Sequence, residues 1–282
     1  MSAAAALSLT SGVSVDEVVD SYWIFLARNH FDVHLDRFKQ RLDSDTKAAE
    51  AEAVVFSLLW NAKARPDIFE DISKGGPDFS CEPFKQEKFL VEVTSLDSSA
   101  VTRRSSLPDR LEEGGGGAFG LITAALQRAA VGKASQLANH PYPRVLAITS
   151  SHAFASILMD AHAAENLLLS DTMISYRIGN FSDPGRQITD LRRSVFFRTD
   201  RSGTRIVPCR RSISAILLVS ISWGQADVVG ILHPEPEIVF KPGLLSQVPY
   251  LRLTSWPVGS EIKTEWHSNG ERSGTFHHRR IR

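Results

Sequence analysis

The stretch from Lys74 to Asp97, KGGPDFSCEPFKQEKFLVEVTSLD, sets Asp78 directly after a Gly-Gly-Pro turn and Glu92 in the middle of an apolar run. In FLVEVTSL the side chains alternate, so Phe89, Val91 and Val93 share one face while Leu90, Glu92, Thr94 and Leu96 share the other. An ionised carboxylate flanked by Leu90 and Thr94 is costly unless it is paired or ligates a metal, because desolvation raises its pKa until it becomes neutral. A hairpin pairing of DFSCE with FLVEVTSL brings Asp78 beside it. Two carboxylates converging at a sheet edge make a hard-oxygen site suited to Mg²⁺ or Mn²⁺, ions that keep several waters and accept one or two protein carboxylates plus substrate phosphates.

The flanking elements must hold these acids in place. Val18, Val19, Tyr22, Trp23, Phe25, Leu26 and Phe31 recur at helical spacing, predicting one or two amphipathic helices between Val15 and about Leu42. Asp43, Ser44 and Asp45 offer caps for a further helix, TKAAEAEAVVFSLLWNAKA, which stops before Pro66. Its inner face is Val55, Phe56, Leu58 and Leu59, and Glu52 lies three and four residues before the first two, on the same side. The Ser-rich, charged segment 98–117, ending in four glycines, reads as a mobile loop. GLITAALQRAAVGKASQLAN reads as a helix over 118–138, and RVLAITSS as a strand covered on both faces, so the pair suggests a crossover. SHAFASILMDAHAAENLLL reads as one helix capped by Ser150 or Ser151. SVFFR, ISAILLVSIS, DVVGIL, EIVF and EIKTEW read as strands.

Asp78, thirteen residues and then Glu92-Val93-Thr94, with the order helix, acidic hairpin, helix, strand, resembles the PD-(D/E)XK nuclease superfamily. The resemblance covers about a third of the chain. It implies a restriction-endonuclease-like core with a mixed sheet flanked by helices, hydrolysis of phosphodiester bonds, and a metal site of Asp78 and Glu92 joined by Glu52. The family's usual lysine two residues after the second acid is Thr94 here. Some relatives carry the amine on the following helix, where Ile122, Leu126, Ala129, Lys133 and Gln136 form one stripe. The resemblance thus gives Lys133 and Gln136 the task of organising water and phosphate, the lysine stem running along apolar surface to the acidic pair.

Composition sets the remaining bounds. The formal net charge is zero, but residues 1–141 carry 15 Lys+Arg against 20 Asp+Glu, and residues 142–282 carry 17 against 12. Residues 186–211 hold eight arginines against two aspartates, so Arg192, Arg193, Arg210 and Arg211 are the candidate contacts to a nucleic-acid backbone, DNA before RNA. Cys81 and Cys209 have no ligand or disulfide spacing and are expected to be reduced and inert. His152 and His162 are expected at the surface or in packing. No apolar run is long enough for a spanning helix, and the N-terminus has no basic stretch of a secretory signal, so the expected setting is the cytoplasm without a membrane partner. The expected organisation is a helical lead-in over 1–43, an α/β core over 44–232 and a C-terminal extension over 233–282 with a basic disordered tail. The strands after residue 200 either extend the sheet or form a homodimer surface. A nuclease-like module that binds nucleic acid without cutting is the alternative, motivated by Thr94.

Overall fold

The computed structural model describes residues 7–8, 14–73, 75–105, 107–109, 119–169, 172–175, 186–189, 191–222, 225–256, 261–268 and 271–279. In chain order the elements are β1 (Leu7–Ser8), α1 (Val15–Arg28), α2 (Asp32–Ser44), α3 (Thr46–Asn61), β2 (Pro66–Ile68), β3 (Phe79–Cys81), β4 (Phe89–Ser95), α4 (Ser98–Ser105), α5 (Phe119–Ala134), β5 (Arg144–Ser150), α6 (Ala153–Ile157) and α7 (Ala161–Leu169). Then come β6 (Thr172–Ser175), β7 (Arg186–Thr189), β8 (Phe197–Thr199), β9 (Ile206–Pro208), β10 (Ala215–Ser222), β11 (Gln225–Leu232), β12 (Tyr250–Ser255), β13 (Glu261–Ser268) and β14 (Glu271–Arg279).

One mixed sheet runs in the order β14, β13, β12, β11, β10, β5, β4, β3, β2, with β1 paired to β11. Strands β2, β3 and β4 form an antiparallel meander, and β4, β5 and β10 are mutually parallel, the link from β4 to β5 passing through α5. Side-chain alternation divides the core. Val145 and Ala147 of β5, with Ala215, Leu217 and Val219 of β10, face the α1–α3 layer, which contributes Tyr22, Leu26, Phe38, Val55 and Leu59. Leu146, Ile148, Ile216 and Leu218 point the other way, onto Ile122 and Leu126 of α5 and Leu167 and Leu168 of α7. A parallel strand covered on both faces has no solvent side, which is why all seven residues of β5 are buried. The protein is therefore α/β, with a mixed central sheet between two helical layers.

Several elements differ from their expected form. Helices α1 and α2 are separate because His30 adopts a left-handed φ of 59° between them. Segment 98–105 is helical, its first turn capped by Asp97 Oδ1, which accepts from Ser99 and Ala100 N–H. The rest of the expected loop, including Gly114–Gly117, falls largely outside the described residues. The helix expected over 151–169 is two, and the cap of α6 is His152, whose Nδ1 accepts from Phe154 and Ala155 N–H at 3.2 Å each. EIVF is not a strand; only Phe240 of it is buried in the core. Strand β12 was not expected, and Glu271–Arg279, expected as part of a disordered tail, pairs antiparallel with β13. Among the described residues no helix is long and apolar enough to cross a membrane.

Candidate active site

The sheet opens between β3 and β4. Pairing of β3 with β4 runs from Cys81 opposite Phe89 to Phe79 opposite Val91 and stops there, while β4 stays paired to β5 as far as Ser95. The far half of β4 thus presents an edge with backbone N–H groups that need acceptors. Asp78, the residue just before β3, fills the gap: its Oδ2 accepts from Val93 N–H at 2.6 Å. The turn that delivers it needs glycine, since Gly75 and Gly76 have φ of 73° and 134°. Asp78 O also accepts from Phe69 N–H at 2.9 Å, which ties the loop after β2 to the same spot.

Glu92 is 2% exposed in the middle of β4. Lys133 Nζ, from the last turn of α5, donates to its Oε1 at 2.6 Å. Its Oε2 is buried and has no hydrogen-bond partner. Burial pushes the Glu92 carboxyl above its usual range, and the Lys133 ammonium opposes that rise. Asp78 is pushed well above the usual carboxylate range by burial first, then by the charges of Glu92 and Glu52, with the Val93 N–H opposing them. Burial and neighbouring carboxylates thus make both groups harder to ionise, a condition that a bound cation relieves.

Glu52 belongs to the same electrostatic cluster, but its oxygens are engaged. Tyr22 OH donates to Oε1 at 2.7 Å, and Arg41 donates to Oε2. Tyr22 is wholly buried in an aromatic cluster with Phe38, Phe56 and Phe79, so this acceptor is held on a rigid donor. Among the described residues no three His, Cys, Asp or Glu side chains stand close enough to hold one ion. The groups free for a hard cation are therefore the pair Asp78 and Glu92. The chemistry of that pair fits Mg²⁺ or Mn²⁺, and the unpartnered Glu92 Oε2 is the acceptor such an ion would use.

A fourth carboxylate lies within range. Glu70, in the loop after β2, adds to the upward shift of both Asp78 and Glu92 and is paired with Arg37 at 2.8 Å. Four acids (Glu52, Glu70, Asp78, Glu92) thus face three cations (Arg37, Arg41, Lys133). Sequence reasoning passes over Glu70, Arg37, Arg41 and Tyr22. Arg37 and Arg41 are four apart on one face of α2, which is the one signal available for them.

Gln136 is not brought to the site. Helix α5 ends at Ala134, Gln136 is exposed in the turn that follows, and the buried positions after Lys133 and before it are Leu137 and Ala130. The chain leaves the helix through Asn139, at a left-handed φ of 66°. Arg192 and Arg193 are exposed in a short 3₁₀ turn; Arg210 donates to Val195 O, and Arg211 Nε to Glu235 O at 2.9 Å. None of the four shares a hydrogen bond or ion pair with Glu52, Asp78 or Glu92. Cys81 and Cys209 are free thiols, and burial raises the pKa of both, away from the reactive thiolate. His162 is exposed, whereas His152 is fully buried as the α6 cap.

The chain matches no protein-family model, no curated protein and no solved structure.

Proposed function

We propose that the chain is a Mg²⁺-dependent phosphodiesterase acting on nucleic acid, DNA first, built on a restriction-endonuclease-like core. The observation that carries the reading is Glu92: a buried mid-strand carboxylate, ion-paired through one oxygen to an amine from the next helix, its other oxygen unpartnered, and Asp78 coupled to it at the point where the sheet opens. The order of the meander β2–β4, the helix α5 and the parallel strand β5 supports that reading.

Asp78 and Glu92 would hold the ion, which when bound supplies a more acidic water and neutralises charge on the departing oxygen. Lys133 opposes the rise that burial imposes on the Glu92 carboxyl and occupies its Oε1, which leaves Oε2 as the acceptor without a protein partner. Its remaining N–H donors can meet a phosphate oxygen, the task that Thr94 cannot take over. Glu52, locked by Tyr22 and Arg41, contributes negative potential and no direct ligand.

A second reading, a nucleic-acid-binding module without catalysis, is favoured by Thr94 at the motif position and by the engagement of both Glu52 oxygens. One experiment separates the two. Supercoiled plasmid and single-stranded DNA are incubated with the protein in Mg²⁺, Mn²⁺ or EDTA, beside Asp78→Ala and Glu92→Ala. Metal-dependent cutting lost in both variants is the expected result; salt-sensitive binding without cutting selects the module.

A further inference from the structure

Two residues beyond Glu92, on the same face of β4, Thr94 lines a cavity of 300 Å³ between α4 and α5. Leu96, Ile122, Ala125 and Ala129 form its apolar wall, and Arg104 and Arg128 stand exposed at its rim. Neither guanidinium has a carboxylate partner among the described residues. Asp97, the acid among the described lining residues, has Oδ1 committed to the first turn of α4.

Three features of this cavity agree on its occupant. It lies outside the carboxyl end of β4, which runs parallel to β5, the place where open α/β sheets bind ligands. Two guanidinium forks at the rim suit phosphate oxygens. The apolar wall suits one face of a flat base, and the volume is at the small end of ligand pockets, enough for a single nucleotide and too small for a base pair in a duplex. Thr94 stands about 7 Å along the strand from Glu92, two residues at the extended rise. A nucleotide seated in the cavity therefore presents its neighbouring phosphate to the carboxylates.

We infer that the cavity is the subsite for an unpaired nucleotide next to the phosphate addressed by Asp78 and Glu92, so that the substrate is single-stranded or frayed nucleic acid. This rests on the phosphodiesterase reading and adds the substrate class to it. A base reaches such a cavity only when it is out of the stack, which a single strand permits without an unpairing penalty.

The test measures binding in EDTA, where no cutting occurs. Fluorescein-labelled pentathymidylate and a blunt DNA hairpin are titrated against wild type, the Arg104→Ala/Arg128→Ala double variant and Ala125→Trp, with circular dichroism confirming the fold of each. The expected result is a loss of about tenfold or more in affinity for the single strand in the arginine double variant, a change of about 1.4 kcal/mol. Ala125→Trp, which fills the cavity and keeps the charge, gives a similar loss, and hairpin binding stays within about twofold in both, because a duplex is held by phosphate contacts outside the cavity. Unchanged affinity in Ala125→Trp, or equal losses for strand and hairpin in the arginine variant, overturns the subsite. Should Ala125→Trp fail to fold, the exposed arginine pair decides alone. Loss of the phosphodiesterase reading is seen separately, as cutting that persists in Asp78→Asn and Glu92→Gln.

Discussion

Glu92 and Glu265 are both glutamates buried in the middle of strands of the same sheet, at 2% and 6% exposure, and each has a cationic partner. Their partners differ in kind. Glu265 is answered across the β12–β13 pair by Arg252, directly opposite in register, whose Nε and Nη2 both donate to Oε2 at 3.1 and 2.8 Å. Nearest-neighbour geometry within the sheet is enough to build that pair. Glu92 is answered by Lys133, 41 residues away on a helix, through one oxygen, while the other oxygen has no partner and a second carboxylate crowds the site. Glu265 takes two N–H donors from the residue opposite it in the neighbouring strand. A carboxylate that is left with a buried open acceptor beside a like charge is kept at a stability cost, the usual mark of a functional site.

The largest effects should separate these two glutamates. Glu92→Gln is expected to lower metal-dependent cutting by more than about 100-fold, beyond the 10- to 100-fold typical of residues behind a metal's own ligands. Glu265→Gln should leave cutting unchanged and instead lower the thermal midpoint by about 2–6 °C, through a weakened charged hydrogen bond. Steady-state cutting assays and calorimetry on the same two variants check both. Equal loss of cutting in the two would erase the distinction.

The comparison sharpens at Lys133. Lys133→Met removes the group that opposes the rise of the Glu92 carboxyl, so cutting at neutral pH should fall by about 10- to 100-fold and recover in part as pH rises. A loss that is flat from pH 6 to 9 would mean the amine acts on substrate alone.

A smaller effect lies in stability without metal. Burial raises the folded-state pKa of Asp78 and of Glu92. Groups shifted in that direction contribute stability in full below their unfolded pKa and lose it as pH rises through the folded one. In EDTA, Asp78→Asn should therefore gain stability relative to wild type as pH rises from the ordinary carboxylate range towards 8, and saturating Mg²⁺ should close the gap by stabilising wild type alone, by about 1.4 kcal/mol at ten times its Kd. His233 has the opposite sign: burial pushes its pKa down to about 4, so its contribution is complete above its ordinary value and is lost as pH falls through about 4. Taking the difference between variant and wild type at each pH removes that background. A difference that stays constant from pH 5 to 8 would show that the Asp78 carboxyl is not held above its usual range in the folded chain. The smallest effect is at Gln136, where Gln136→Ala should change cutting by less than about twofold, as for a surface position.

How much of this is legible in the chain depends on the reach of each interaction. The inner face of α3, the hairpin of β3 and β4, and the fully buried β5 follow from local periodicity, because a helix or strand must bury one face or both. Asp78 and Glu92 are readable for the same reason, one after a glycine turn and one on an apolar face. Lys133 is readable because a helical stripe carries it to the sheet, whereas Gln136 is misplaced by continuing that stripe past the helix end at Ala134. Strand β2 is only three residues long and begins with proline, too short for a period to show. Strand β14 holds Gly274 and few apolar residues in its first half, so its pairing with β13 is not announced by pattern.

By itself, then, the order of residues determined the inner face of α3, the hairpin of β3 and β4 with an acid on each of its arms, and the fully buried β5. Tertiary structure alone decided the electrostatics around those two acids. It tied Glu52 to Tyr22 and Arg41, brought Glu70 with its Arg37 alongside, and left one oxygen of Glu92 open. The reason is physical: pattern along a chain records burial, which each residue carries in its own side chain, whereas charge pairing depends on distances between segments tens of residues apart, and those exist only once the layers have packed.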